Sequence, residues 1–361
     1  MRQTVVHITS WRNKGGGTEI AKQIMHTANI SSRTIYLENN KPYTKLNNIT
    51  DRHTNIYIPF YNILFSAIYV RSLIKKYKHL LIHSHGKRAG IHSRFCKILF
   101  PKKVKVVHTF HGITSSSGLN RCLSLIMESI LSILTSAIIA NGQAELLMFR
   151  SVFKIRCKSF RINQPYNQNN IINIRRSKIS RIGFAARMEK GKLQKDLIRL
   201  ISFFNIKYPE RKLTLVLCGD GSYKKNILSM GKKMLPGKIT YLGHLKDMKT
   251  FYSQIDAYAH FSLYEGMPLS LVDAVVCGLP CISTNVDGSR DVIQQSGGGW
   301  LVPLSNTSEQ LSVLEKVVID FRKYKNRLLK VKKLGKIIFC PKQYTRFHNE
   351  LYHTLLKEMQ V

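Results

Sequence analysis

Residues 257–284 read AYAHFSLYEGMPLSLVDAVVCGLPCIST, and this stretch decides the fold class. Residues 257–261 and 280–284 are short apolar runs typical of buried strands, whereas residues 268–276 have the apolar spacing of a helix. A strand, a helix and a second strand in this order predict a βαβ unit in a parallel sheet.

The same alternation extends over the rest of the chain. In the first half it predicts strands at residues 5–9, 34–37, 79–83, 104–109 and 137–140, with helices at 18–29, 61–77 and 121–134. In the second half it predicts further strands at 179–185, 213–218 and 239–242, with helices at 195–208, 223–235, 248–255 and 344–359. Each half should therefore be a Rossmann-like, doubly wound parallel sheet of the α/β class.

A polar, irregular stretch separates the two halves. Residues 163–170 read NQPYNQNN, and a short basic run follows them. Because doubly wound sheets bind ligands beyond the carboxyl ends of their strands, two facing sheets would bind theirs in the cleft between the domains. We expect a first domain over residues 1–165, a linker over 166–178, a second domain over 179–340 and a C-terminal helix over 341–361 that packs back on the first domain.

The charge of the chain is strongly basic. Its 361 residues include 57 Lys and Arg against 20 Asp and Glu, a formal net charge of +37. Residues 52–127 contain no acidic residue, and residues 71–105 combine lysines and arginines with apolar neighbours. Such a surface attracts polyanions, so we expect the 71–105 region to dock on an anionic membrane. A lysine-rich coding bias is the alternative explanation.

Cysteine usage and hydropathy indicate a cytoplasmic protein. The seven cysteines form no CxxC pair and lie mostly in apolar runs, as expected of reduced, buried thiols. The apolar run at residues 5–9 is too short for a signal peptide. The best membrane-spanning candidate, residues 119–140, is interrupted by Arg121 and Glu128, so we expect no transmembrane helix.

Two glycine-containing turns could bind an anionic ligand. Gly15, Gly16 and Gly17 precede a predicted helix, where glycines permit close approach and free N–H groups attract an anion. Their spacing fits neither the GxGxxG nor the P-loop pattern. Glu265 and Gly266 directly precede the 268–276 helix. That helix should begin at Pro268 and leave open the amides of Met267, Leu269 and Ser270.

The charged residues near these turns suggest a diphosphate ligand. Arg187 and Lys190 follow a predicted strand and could clamp a diphosphate. Asp273 lies eight positions after Glu265, a rise of about 12 Å along a helix, so the two carboxylates should contact different ends of one extended ligand. No DxD triplet occurs, so the sequence predicts no metal site, and fixed cations would have to replace a metal.

The order and spacing of these motifs resemble the retaining glycosyltransferases of family four, which have the GT-B fold. The resemblance covers nearly the whole chain and is strongest over residues 183–303. It depends on Gly15–Gly17, His108-Thr-Phe-His-Gly112, Arg187 with Lys190, Cys218-Gly-Asp-Gly221, Tyr241-Leu-Gly243, Glu265-Gly-Met-Pro-Leu269 with Asp273, and Gly278-Leu-Pro280 before Asp287-Gly288. Two departures are Asp273, where the family usually has Glu, and Asn163-Gln164-Pro165, which replaces the usual Asn-Gly turn.

The resemblance implies a role for each matching residue. Arg187 and Lys190 would bind the donor diphosphate, Asp273 would bind the ribose, and Leu245 would lie near the base. His111 would sit by the transferred sugar and the reacting carbon, and His83 and His85 would line the acceptor side. The implied catalytic residues are His111, Glu265, Arg187 and Lys190, and the other donor-binding residues are Gly15, Gly16, Gly17, Gly266, Met267, Pro268 and Leu269.

The implied activity is a metal-independent hexosyltransferase that needs no cofactor. It would move a sugar from a nucleotide-diphosphate sugar, UDP- or GDP-linked, to a lipid-linked glycan acceptor with retention, in surface polysaccharide, lipopolysaccharide or O-antigen biosynthesis. It would lie on the inner face of the cell membrane and bind no nucleic acid. The alternatives are a nucleotide-sugar epimerase on the same fold and a non-enzymatic basic nucleic-acid-binding protein, although no zinc or RNP-like pattern supports the latter.

Overall fold

The structure, a computed structural model, describes residues 4–10, 20, 24, 31–37, 53–58, 62–111, 126–151, 157–173 and 176–359. The chain divides into two compact units. Unit 1 comprises Met1–Gln164 with Lys342–Val361, and unit 2 comprises Pro165–Pro341. Each unit contains one parallel sheet with helical crossovers, which confirms the predicted α/β class with two Rossmann-like domains.

The sheet of unit 1 has the strand order β3-β2-β1-β4-β5-β6-β7, and every neighbouring pair is parallel. The order reverses between β1 and β4, where His7 pairs with His83 and Thr9 with His85. The strands are Thr4–Ser10 (β1), Ser31–Leu37 (β2), His53–Ile58 (β3), Leu80–His85 (β4), Val104–Thr109 (β5), Ala137–Ala140 (β6) and Lys158–Arg161 (β7).

The sheet of unit 2 has the strand order β10-β9-β8-β11-β12-β13, again all parallel. Its order reverses between β8 and β11, so the loops after these two strands leave the same edge side by side. The strands are Arg181–Ala185 (β8), Thr214–Cys218 (β9), Ile239–Tyr241 (β10), Ala257–His260 (β11), Cys281–Thr284 (β12) and Gly299–Val302 (β13).

Helices cover both sheets. Buried apolar side chains of the strands and helices form the core of each unit, including Val6, Ile82 and Val106 in unit 1 and Phe184, Leu217 and Val272 in unit 2. The helices are Ile63–Tyr77 (α1), Lys87–Leu99 (α2), Gln143–Ser151 (α3), Gln194–Lys207 (α4), Lys224–Met234 (α5), Met248–Ser253 (α6), Leu269–Cys277 (α7), Asp287–Ser296 (α8), Thr307–Ile319 (α9), Phe321–Ile338 (α10) and Pro341–Lys357 (α11).

The apolar pattern misses three edge strands and helix α2, for two different reasons. Strands β3, β7 and β13 lie at sheet edges, where a strand needs fewer apolar residues; β7, for example, leaves Lys158 and Arg161 exposed. Helix α2 is missed because part of its buried face is polar, with His92, Ser93 and Arg94 among the buried residues.

Arg94 corrects one expectation about the basic surface. Its side chain is fully buried and pairs with Glu128 at 3.2 Å, while its Nε donates to Thr135 Oγ1. Burial lowers the pKa of Arg94, and the Glu128 charge opposes that shift. The prediction that Arg94 belongs to an anion-attracting surface is therefore wrong, because its charge is neutralised inside unit 1.

The chain crosses between the units near residue 165. The amide of Tyr166 donates to the Phe339 carbonyl, and Ile171 and Ile172 pack on the core of unit 2. The described part of the expected linker, residues 166–173 and 176–178, belongs to unit 2. Among the described residues, no helix combines the length and apolar character needed to cross a membrane.

Helix α11 returns to unit 1. Its Tyr352 hydrogen-bonds to His83 of β4, and Glu358, directly after the helix, pairs with Lys105 of β5 at 2.5 Å. Leu351, Leu355 and Leu356 are buried along the same helix. The last helix of the chain therefore completes the core of the first unit.

Candidate active site

Glu265 lies in the loop between β11 and α7, at the strand-order reversal of unit 2. Its Oε1 accepts a hydrogen bond from His260 Nε2 at 2.7 Å and forms an ion pair with Lys192. The Glu265 side chain is 13% exposed and the Lys192 side chain 16%. A carboxylate and two donors thus meet in a largely desolvated place.

The electrostatics hold Glu265 ionised. Burial by itself would raise the pKa of Glu265, but His260 and Lys192 outweigh it and bring the pKa to about 2. His260 is also buried, and burial lowers its pKa against the opposing effect of Glu265. Glu265 is therefore a permanent hydrogen-bond acceptor at neutral pH.

His260 links Glu265 to helix α7. Its Nδ1 lies 3.2 Å from Tyr258 Oη, and Tyr258 donates to Ser270 Oγ in the first turn of α7 at 2.7 Å. These contacts fix the imidazole ring so that Nε2 points at Glu265. The geometry of the carboxylate is therefore set by β11 and α7 together.

Sequence reasoning missed both Lys192 and His260. Lys192 follows the Lys190-Gly191 pair, and a β-bridge to Ser262 brings it beside Glu265. His260 is the last residue of a buried strand and carries no motif of its own. Only the pairing of β8 with β11 reveals that both residues converge on Glu265.

Arg187 and Lys190 lie in the loop after β8, and both are exposed. The backbone of this loop is fixed by a hydrogen bond, because Met188 donates its amide hydrogen to the Asp220 carbonyl at 2.9 Å. Gly219, at a φ of 129°, packs so closely that a Cβ would lie 2.0 Å from the Ala186 carbonyl oxygen. A fixed loop thus presents two solvated cations on the edge that also holds Glu265.

The start of α7 differs slightly from expectation. Pro268 precedes the helix as its N-cap residue, and the first helical residue is Leu269. Gly266 packs against Gly288, the second residue of α8: a Cβ on Gly288 would lie 1.5 Å from the Gly266 carbonyl oxygen. The Gly288 amide donates to the Glu265 carbonyl at 3.3 Å. The Asp287-Gly288 motif thus supports the Glu265-Gly266 backbone.

Asp273 has different partners from Glu265, in agreement with the expectation that the two carboxylates do not share a proton. It accepts hydrogen bonds from the Asn167 amide at 2.9 Å and from Asn170 Nδ2 at 2.7 Å. Burial raises the pKa of Asp273 to about 7, although these two donors oppose the rise. Both oxygens are thus engaged by residues 167–170, and contact with a ribose stays a prediction.

The remaining predicted donor residues fall in two groups. Leu245 is half-buried after β10 and packs on the core of unit 2, and Met267 is buried in that core. Gly15, Gly16 and Gly17 lie outside the described residues, so their donor role also stays a prediction.

Two of the three predicted histidines of unit 1, His85 and His111, form a hydrogen-bonded chain with His7 at the β1–β4 reversal. His7 Nδ1 lies 3.1 Å from His85 Nε2, and His85 Nδ1 lies 3.0 Å from His111 Nε2. His111 Nδ1 lies 3.1 Å from Gln164 Nε2. His83 bonds to Tyr352 Oη and Thr109 Oγ1 instead. Sequence reasoning missed His7, Gln164 and Tyr352.

Burial makes these histidines neutral. It lowers the pKa of His7 to about 3 and that of His111 to about 4, and it moves the pKa of His83 and His85 well below the usual value. Ring nitrogens of His7, His83 and His85 come within 4.8 Å of one another, a spacing that a metal ion could bridge. Among these rings, His7 Nε2 is a buried nitrogen without a hydrogen-bond partner in the described part of the chain, whereas both nitrogens of His83 and of His85 are hydrogen-bonded.

Comparison with known families identifies the second half of the chain. Residues 169–333 match the family described as glycosyl transferases group 1. Residues 169–333 form a group 1 glycosyltransferase domain. This domain contains Arg187, Lys190, Lys192, Glu265 and Asp273. This match confirms the prediction of a glycosyltransferase, whereas membership of family four and retention stay predictions.

One similar protein is UDP-Gal:alpha-D-GlcNAc-diphosphoundecaprenol alpha-1,3-galactosyltransferase of Escherichia coli. It is 23% identical over 71% of this chain and 70% of its own length. The group 1 domain thus belongs to a chain whose relatives include a glycosyltransferase acting on a lipid-linked sugar.

Two solved structures have the same fold as the whole chain. Sucrose-phosphate synthase from Thermosynechococcus elongatus is 16% identical, covers 99% of this chain and all of its own, and has a TM-score of 0.83. Anabaena HepE in complex with UDP and glucose is also 16% identical, covers 98% of this chain and all of its own, and has a TM-score of 0.79. The group 1 domain is thus one half of a GT-B fold.

Proposed function

We propose that this protein transfers a hexose-type sugar from a nucleotide-diphosphate sugar, UDP- or GDP-linked, to a lipid-linked glycan acceptor with retention at the anomeric carbon. The reaction would belong to surface polysaccharide biosynthesis. The E. coli relative, whose name specifies UDP-Gal and a diphosphoundecaprenol-linked acceptor, supports both substrate classes. The UDP and glucose bound to HepE support the donor class.

The observation that carries this proposal is the chemistry at the β8–β11 reversal. Doubly wound sheets bind ligands outside the carboxyl ends of strands at the point where the strand order reverses. In unit 2 that point combines two exposed cations, Arg187 and Lys190, with the ionised Glu265. Cations suit a diphosphate, and a carboxylate that only accepts hydrogen bonds suits sugar hydroxyls.

The proposed roles are those that the family resemblance implies, and this placement supports them for Arg187, Lys190 and Glu265. Arg187 and Lys190 bind the diphosphate and stabilise the charge that develops as it leaves. Glu265, with the backbone of Gly266, Met267, Pro268 and Leu269, holds the transferred sugar. Leu245 contacts the base, Asp273 the ribose, His111 acts as a catalytic residue, and His83 and His85 serve the acceptor side.

The experiment that tests this mechanism removes the two cations. Arg187→Ala and Lys190→Ala should each lower turnover at least about a hundredfold, because one preorganised charge contact is worth about 3–4 kcal/mol of barrier. Turnover is measured as transfer of radiolabelled sugar to a lipid-diphosphate acceptor. Because fixed cations would replace a metal, EDTA should leave the rate unchanged.

A matched control variant distinguishes the loss of a cation at the site from a general loss of positive charge. Lys225 is an exposed cation on α5 of the same domain, and Lys225→Ala should keep the wild-type rate. Near-normal turnover in the Arg187 and Lys190 variants, or loss with EDTA and rescue by Mg²⁺, would refute this mechanism. Transfer to an added acceptor also excludes the epimerase alternative.

We further propose that helices α1 and α2 dock unit 1 on an anionic membrane. The two helices pack together, and their exposed surface combines apolar and basic side chains. The exposed apolar residues are Leu64, Ile68, Ile91, Ile98 and Leu99, and the exposed cations are Arg71, Lys75, Lys76, Lys78, Lys87, Arg88, Lys102 and Lys103. Each cation near anionic lipid is worth about 1 kcal/mol.

The docking test changes exposed lysines that form no ion pair within the described part of the chain; one of them, Lys76, lies over the Tyr77 ring at 5.6 Å from its centroid. Lys105 pairs with Glu358 and Lys97 donates to the Pro101 carbonyl, so neither is changed. Replacement of Lys75, Lys76, Lys102 and Lys103 by Ser should release the protein from phosphatidylglycerol liposomes in sedimentation at physiological salt. The matched control replaces four exposed lysines of unit 2: Lys225, Lys232, Lys233 and Lys325. Equal loss in both variants would show non-specific charge attraction.

A further inference from the structure

The chain of hydrogen bonds from Gln164 to His7 has a fixed direction. Gln164 Nε2 is an amide donor, so His111 Nδ1 must accept. A neutral imidazole carries a single N–H, which places the proton of His111 on Nε2 and directs it to His85 Nδ1. The same rule places the His85 proton on Nε2, directed to His7 Nδ1.

From this chain we propose that His85 is a positioning residue that holds His111 in the Nε2–H tautomer, with Nδ1 presented as an acceptor. The inference deepens the proposed function, because it rests on His111 acting as a catalytic residue. His7, in the middle of β1, accepts a hydrogen bond from His85 Nε2, so both ring nitrogens of His85 are held. A sugar hydroxyl that displaces Gln164 from His111 must then donate its hydrogen to Nδ1.

The backbone of His111 explains why such support is needed. Its φ is 59°, a left-handed conformation that residues other than glycine adopt infrequently and that is strained. Bonds at both ring nitrogens, from Gln164 and His85, hold the side chain on this strained turn. Strain of this kind persists only where surrounding contacts maintain it.

The neutral state of the rings supports the same conclusion. Burial lowers the pKa of His7, His85 and His111, so that at neutral pH each ring has one donor and one acceptor nitrogen. A doubly protonated His85 would offer two donors and could not accept from His111. The chain therefore has one consistent arrangement of protons from Gln164 to His7.

The test reads the tautomer directly by NMR. In full-length protein labelled with ¹⁵N-histidine, two-bond nitrogen–proton correlations distinguish Nε2–H from Nδ1–H rings. The His111 signal is assigned by its loss in His111→Gln. We expect a single Nε2–H tautomer for His111 in the wild type, and we expect His85→Phe to produce a mixture or the opposite tautomer.

A conservative variant distinguishes a positioning role of His85 from a role in the stability of the fold. In His85→Asn the amide oxygen can replace Nδ1 as the acceptor for His111, whereas Phe has no polar atom. We expect His85→Phe to lower kcat about tenfold with little change in KM for the donor, since misplaced groups affect the chemical step. His85→Asn should restore most of kcat and the Nε2–H tautomer.

Two results would overturn the inference: an Nδ1–H tautomer of His111 in the wild type, or an unchanged tautomer and rate in folded His85→Phe. If His85→Phe does not fold, the inference is still tested by the tautomer of His111 in the wild type and in His85→Asn. Failure of the proposed function looks different. In that case no sugar transfer is observed, or His111→Gln keeps full transfer, while the tautomer measurements come out as expected.

Discussion

The two units bury titratable groups in opposite ways. At the β1–β4 reversal of unit 1, His85 bonds to other histidines, and burial keeps the ring neutral. At the β8–β11 reversal of unit 2, Glu265 meets Lys192 and His260 and stays ionised with a pKa of about 2. The comparison teaches that two largely buried titratable groups can have opposite charge states, according to whether an opposite charge is within reach.

The largest expected effect is acid destabilisation of unit 1. The pKa of His7 is lowered to about 3 and those of His111 and His348 to about 4. Below pH 6.5 the unfolded histidines bind protons that the folded ones do not, so stability falls as pH falls. From pH 7 to 5 each such histidine removes about 2 kcal/mol, several in total.

The measurement is hydrogen exchange at pH 7 and pH 5, with peptides of each unit followed separately and corrected for intrinsic rates. Peptides of β1 and β4 should lose protection at pH 5, whereas those of β8 and β11 should not. Equal loss in both units would show that the histidine chain does not control acid stability.

The next effect concerns the charge in unit 2. Glu265→Gln removes the ionised acceptor and should lower kcat/KM by about a hundredfold or more. Asp273→Glu should cost less, because it changes a carboxylate whose partners are residues 167–170. Both are measured by sugar transfer under identical conditions, and equal losses would mean that the two carboxylates have been assigned the wrong roles.

The pKa shift of Asp273 should have a smaller effect on the free energy of unfolding, opposite in sign to that of the histidines. The pKa of Asp273 is raised to about 7 in the folded state, whereas an Asp in the unfolded chain has a pKa of about 4. Between these two pH values the folded state therefore binds a proton that the unfolded state does not bind. Asp273 should therefore contribute about 2 kcal/mol of stability to unit 2 from pH 7 to 5, and the lowered pKa of His260 acts in the opposite direction. Urea unfolding followed by the fluorescence of Trp300, in a Trp11→Phe background, measures this contribution. Asp273→Asn should abolish it.

The smallest effect separates the two partners of Glu265. Lys192→Met should raise the pKa of Glu265 and shift the acid limb of the kcat/KM profile to higher pH, with a much smaller loss at neutral pH than in Glu265→Gln because the carboxylate stays ionised there. Lys192→Arg keeps the charge and should retain the wild-type profile. An unshifted acid limb in Lys192→Met would show that His260 alone sets the ionisation of Glu265.

Much of unit 2 could be predicted from its sequence because its strands are buried apolar runs and its ligand loops contain charged motif residues. Helix α2 could not, since His92 and Arg94 are buried polar residues that disrupt the apolar spacing. The partners of the site residues were also missed. Asp273 bonds to Asn167 and His83 to Tyr352, and no local pattern indicates a contact across such separations in sequence.

Helix α11 has a consequence for synthesis of the protein. Domains generally fold as units while the chain emerges from the ribosome, N-terminal parts first. Here Tyr352 and His348 are buried in unit 1, yet they belong to the last turns of the chain. The first unit to emerge is thus the last to be completed. A chain stalled or truncated before residue 341 would contain all of β1–β13 while exposing the apolar surface of unit 1 that α11 covers.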